Sequence, residues 1–173
     1  YSLYHGKQAF LLWTFGLSRK IFSDPLIAGR SVSVLTGLIA LIGLYKLGKK
    51  LASPDVAFLS GIFYIASPIF VFYDRLALME SAVGAIGVWS LYLFINYLEK
   101  LNLNYDLFLG AVLGLGFFIK SSSAIFLIPI LVIGFYQFIK FPKKRIGLIY
   151  GSLAFSSIFF IILLPLFIQK QSG

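Results

Sequence analysis

The sequence predicts an all-α, polytopic integral membrane protein, and three observations carry that prediction. Of its 173 residues, 60% are hydrophobic and only 12% are charged, too little polar material to cover a soluble globule. The apolar runs approach the roughly 20 residues needed to cross about 30 Å of hydrocarbon. The net charge of +9 is gathered mainly in short gaps between those runs, as in loops at a membrane surface rather than on a nucleic-acid-binding face. The partner this composition implies is the lipid bilayer, with no nucleic acid. There is no cysteine, which excludes a disulfide framework and a thiolate metal site. The chain opens at Tyr1 without an initiator Met or a signal-peptide pattern, so a piece of a longer protein is expected.

Taken in order, residues 1–30 form the mixed part. An apolar patch at 9–17 containing Trp13, flanked by Lys7 and by Arg19 and Lys20, is too short to span and predicts a helix in the interface plane. Asp24 before Pro25 marks a turn or a helix start. About six spans then follow, near 31–45, 56–72, 81–98, 107–119, 124–139 and 146–168. The second contains Ser67 and Pro68, a kink signal, and the fifth contains Pro129. In the fourth, Gly110, Gly114 and Gly116 provide a small-residue face for close helix packing.

Alternating the direction of travel places Lys46, Lys49, Lys50, Lys100, Lys140, Lys143, Lys144 and Arg145 on one side, together with Asp55, Glu99 and Asp106. The basic excess in these short loops predicts that this side is cytoplasmic, as in a prokaryotic inner membrane. His5, Lys7, Arg30, Asp74, Arg75, Glu80 and Lys120 then fall on the extracytoplasmic side. Charges far apart in sequence are expected on one face.

The stretch 73–81, YDRLALMES, sets three charges between two apolar runs. Ionisable groups beside spanning segments are costly unless they pair, face a polar cavity or do chemistry. Asp74 also suits the N-cap of a helix beginning at Arg75. Arg75 and Glu80 are five apart, too far for a helical surface pair. Only 13 residues of the fourth run precede Lys120, which would leave its ammonium below the surface and in want of an anion unless the helix starts earlier. Two carboxylates, basic groups and hydroxyls on one face suit transfer between an anionic lipid-linked group and an acceptor. A carboxylate takes the acceptor proton, and Lys or Arg holds a phosphate whose charge grows as its bond breaks.

The segment HGKQAFLLW at 5–13, Arg30 before Ser31 and Val32, DRLALME at 74–80, and GFFIK at 116–120 followed by Ser121 resemble, in order and spacing, the membrane glycosyltransferases of the GT-C superfamily. The likeness is to the branch of the dolichyl-phosphate-mannose protein mannosyltransferases and the lipid A aminoarabinose transferases, and covers most of 1–140. It implies inverting transfer of a sugar from a polyprenyl-phosphate donor to a lipid or protein acceptor on the extracytoplasmic face. By position, Glu80 matches the family's second-loop acidic residue and Arg75 the arginine before it. Lys120 matches the lysine near the donor phosphate, and Lys7 that of the interfacial segment. The expected catalytic pair is Glu80 and Asp74, with Lys120, Arg75 and Lys7 on the donor phosphate. A divalent cation is a weaker expectation, with His5 as candidate ligand. Gln8 and Ala9 stand where the family usually has prolines. The family's principal aspartate belongs to a loop upstream of Lys7, so this chain is expected to lack it. The competing expectation, a transporter or flippase, requires internal repeats with broken spans in matching positions, and no convincing repeat is seen.

Overall fold

The computed structural model describes residues 9–171, all of whose regular structure is helical. The helices are α1 (Ala9–Ser18), α2 (Pro25–Leu51), α3 (Pro54–Ala66), α4 (Pro68–Arg75), α5 (Glu80–Lys100), α6 (Leu103–Ile119), α7 (Leu127–Lys140) and α8 (Arg145–Gln171). A 3-10 segment, Ser121–Phe126, leads into α7, and another, Pro142–Lys144, leads into α8.

Local chemistry explains the boundaries. Three helices start with proline as their first residue, where its fixed φ fits and its missing N–H costs nothing. Asp24 caps α2 by accepting from the amides of Leu26 and Ile27, and Ser53 caps α3 by accepting from Val56. Helix α2 therefore begins at Pro25 rather than near 31. Pro68 breaks the second apolar run, and α3 and α4 meet at 64°. Helix α6 begins at Leu103, capped by Asn102, so Lys120 follows 17 residues of helix, about 25 Å. Pro129 lies in the first turn of α7, where no helical hydrogen bond is lost.

Helix α2, helix α5, the Ser121–Lys140 stretch and the run from Pro142 into α8 are each long and apolar enough to cross a membrane. The bent pair α3–α4 adds a fifth candidate, and α6 is a shorter apolar helix. Its length matches its position, since it packs between α5 and α8, with Leu109 and Leu113 fully buried. Gly110 and Gly114 face α8: a Cβ at Gly110 would lie 2.6 Å from the Phe155 carbonyl oxygen, and one at Gly114 would lie 3.0 Å from Ile162. Gly116 instead faces Ile86 and Ser123.

Contacts between helix ends fix which termini share a side. Lys50 at the end of α2 pairs with Glu99 at the end of α5, and Lys144 donates to the Leu98 carbonyl at 3.0 Å. At the opposite end, Lys120 after α6 meets Glu80 at the start of α5. The chain is a zigzag with Glu80 and Lys120 at one end, and with Lys50, Glu99 and Lys144 at the other.

Candidate functional site

The site is assembled by burial. Met79, Ala82 and Ile119 form a small buried cluster. Each of its outer members precedes or follows a charge: Met79 stands before Glu80, and Ile119 before Lys120. Burying the two apolar side chains against each other brings the two ionised ones together, and Lys120 Nζ donates to Glu80 Oε1 at 2.8 Å. The backbone supports this. Residues 76–79, between α4 and α5, press on α2, where a Cβ at Gly29 would come within 2.7 Å of Ala77. Buried Ser33 on α2 donates to the Leu78 carbonyl at 2.9 Å. Lys120 leaves the helix in extended conformation as the C-cap of α6, which frees its side chain to reach across to α5.

Asp74 is the seventh residue of α4, not an N-cap, because the helix that follows begins at Glu80. Its carboxylate is turned inward and abuts Gly37 of α2, leaving no room there for a larger residue. The Ser81 hydroxyl donates to Asp74 Oδ1 at 2.5 Å, and the Tyr64 hydroxyl to Oδ2 at 3.1 Å. Glu80 at the first position of α5 also meets the positive end of the helix dipole.

Asp74, Glu80, Ser81, Tyr64 and Tyr73 line one cavity of about 640 Å³ between α2, α3, α4 and α5. Its remaining wall is mostly apolar, with Ala40, Leu44, Phe63, Phe70 and Val88 among the lining residues. The ion pair at its edge is part-exposed, at 39% for the Lys120 side chain and 33% for Glu80. A carboxylate with two hydroxyl donors, a second carboxylate and an accessible ammonium can bind a hydroxyl, take its proton and meet an anion.

Arg75, next in sequence to Asp74, goes elsewhere. It lines a groove of about 500 Å³ with Arg30, Val34, Pro68, Val71, Phe72 and Leu76, and shares with Asp74 and Tyr64 a smaller pocket of about 260 Å³. The structure thus places Asp74 and Glu80 on one cavity, and Lys120 on Glu80, with Arg75 on the neighbouring groove. His5 and Lys7 lie outside the described residues. Among the described residues, no three His, Cys, Asp or Glu side chains cluster as a metal site would require. Tyr64 was not legible as a site residue: it sits inside an apolar run, and only the break at Pro68 folds Asp74 back to it. Ser81 carried a weak signal, being adjacent to Glu80.

No curated protein and no solved structure matches the chain. The sequence profile described as dolichyl-phosphate-mannose-protein mannosyltransferase matches residues 8–168, nearly the whole chain and all six apolar segments. The bent pair, the ion pair and the polar cavity all lie within the matched region. The chain belongs to the dolichyl-phosphate-mannose-protein mannosyltransferase family, and is a GT-C type membrane glycosyltransferase sequence.

Proposed function

We propose that the protein moves a sugar from a polyprenyl-phosphate donor to a hydroxyl-bearing acceptor, with inversion, at the membrane surface on the Glu80 side. The observation that carries this reading is the pairing of Lys120 with Glu80, which lines the cavity that holds Asp74 and Ser81. An ammonium already neutralised by a carboxylate can exchange that partner for a phosphate. Lys120 then stabilises the negative charge that develops on the donor phosphate as its bond to the anomeric carbon breaks. The exchange releases Glu80 as a hydrogen-bond acceptor or base beside Asp74.

The acceptor oxygen attacks the anomeric carbon as the polyprenyl phosphate departs with the bonding electron pair, and the acceptor proton passes to a carboxylate. Asp74, oriented by Tyr64 and Ser81, is the group that positions the acceptor hydroxyl. Lys7 is the further expected contact to the donor phosphate. The reacting face is the extracytoplasmic one, supported by the basic residues at the opposite end. Lys49 and Lys50 close α2, Lys100 closes α5, Lys140 closes α7, and Lys143 and Lys144 follow, the distribution of a cytoplasmic side.

The test is transfer from a radiolabelled polyprenyl-phosphate sugar in membranes containing the full-length protein. Glu80→Gln and Lys120→Ala are each expected to lower the rate about a hundredfold or more. Wild-type rates in both variants would remove the assignment.

A further inference from the structure

We propose that the groove between α2 and α4 holds an anionic phospholipid, with its phosphate on the guanidinium groups of Arg30 and Arg75 and an acyl chain along Val34, Leu35 and Leu38. This site is distinct from the sugar-transfer site, and its test does not depend on that reaction.

Arg30 and Arg75 come from different helices and line the same groove. Among the described residues, neither has an ion-pair or hydrogen-bond partner. Two unneutralised guanidiniums on one concave wall repel each other, and each is costly beside hydrocarbon unless an anion joins it. Guanidinium is the side chain best shaped to meet phosphate oxygens in pairs. A second groove, of about 430 Å³, shares Arg30 and Val34 with the first and continues over Leu35 and Leu38. From Arg30 to Leu38 the helix rises about 12 Å. A doubly cationic head joined to an apolar track has the outline of a phospholipid. A free phosphate would leave the track bare, and an acidic peptide would find nothing polar there to satisfy its backbone.

The groove is also poorly placed for the reacting donor. It shares no lining residue with the cavity of Glu80 and Ser81 and adjoins it only through a smaller pocket of about 260 Å³ that Arg75 and Asp74 line together. Lys120 pairs with Glu80 on that other side.

Native mass spectrometry of the chain released from nanodiscs reads the site directly. Phosphatidylglycerol is compared with phosphatidylcholine of identical acyl chains. Wild type is expected to retain phosphatidylglycerol about tenfold or more over phosphatidylcholine, given two cationic contacts. Arg30→Gln with Arg75→Gln is expected to bring the two lipids level, whereas Lys120→Ala keeps the preference. Equal retention by wild type, an unchanged preference in the double variant, or a preference lost only in Lys120→Ala would overturn the proposal. Displacement of phosphatidylglycerol by equimolar polyprenyl phosphate would also overturn it, by giving the groove to the donor. A measurement on wild type alone guards against misfolded variants: phosphatidylglycerol with a photoreactive acyl chain should label the peptide holding Leu35 and Leu38. Labelling spread evenly over all helices would contradict the site.

Discussion

Helix α5 carries a glutamate at each end, and each is paired with a lysine from another helix, yet the two pairs sit in different surroundings. Glu99 meets Lys50 where α2 and α5 finish, with 51% of the Glu99 side chain exposed and 26% of the Lys50 side chain. Among the described residues, no further carboxylate or hydroxyl hydrogen-bonds to either side chain. Glu80 meets Lys120 beside a cavity that also holds Asp74, Ser81 and Tyr64, and the pair is set in place by buried Met79 and Ile119. The same two residue types thus serve as an exposed clip between helices at one end and as part of a polar cluster at the other. Salt-bridge geometry does not separate the two cases, because both are lysine to glutamate at close range. The company each pair keeps does.

Breaking the two pairs in turn should separate them in activity. The largest effect is expected at the Glu80 end, where Glu80→Gln and Lys120→Ala lower sugar transfer about a hundredfold or more with the helical content unchanged by circular dichroism. Next comes the scaffold that holds α6 against its neighbours. Gly110→Leu drives a side chain into the Phe155 backbone of α8 and is expected to cost about 1–3 kcal/mol, read as a lower thermal midpoint in detergent. Smaller still are the hydroxyls on Asp74. Ser81→Ala or Tyr64→Phe removes one hydrogen bond worth about 1 kcal/mol and should slow transfer severalfold with little change in stability. The smallest effect belongs to the Glu99 end: Lys50→Gln or Glu99→Gln loses an exposed pair worth about 0–1 kcal/mol and leaves transfer within about twofold of wild type. A large fall in transfer from Glu99→Gln would erase the distinction between the ends.

Much of this architecture was legible because hydrophobic runs and prolines act locally. Pro25 starts a helix where the sequence signals a turn or a helix start, Pro68 breaks the second run where it signals a kink, and the glycines of the fourth run predict the close approach of α6 to a neighbour. The pairing of Glu80 with Lys120 was legible only as a shared side, since the contact depends on how Met79 and Ile119 pack across 40 positions of chain. Asp74 and Arg75 show what sequence order hides. Adjacent residues at the end of a short helix face different neighbours, so one carboxylate enters a cavity with Glu80 and the next guanidinium turns to Arg30. The rotation of about 100° per helical residue gives each its own larger cavity, and the two meet only along a smaller pocket of about 260 Å³ between them. Ser67 and Pro68 indicated a kink without its size, and the 64° bend is what brings Tyr64 to Asp74.

The most direct test of the central claim, that the Lys120–Glu80 pair belongs to the reaction rather than to the scaffold, is a charge swap. Glu80→Lys combined with Lys120→Glu keeps an ion pair between the same positions, at a cost of about 0.3–1 kcal/mol for placing a cation at the start of α5. The account predicts a folded protein with a thermal midpoint close to wild type and sugar transfer as low as in Glu80→Gln. Recovery of transfer to wild-type rates in the swapped protein would contradict it.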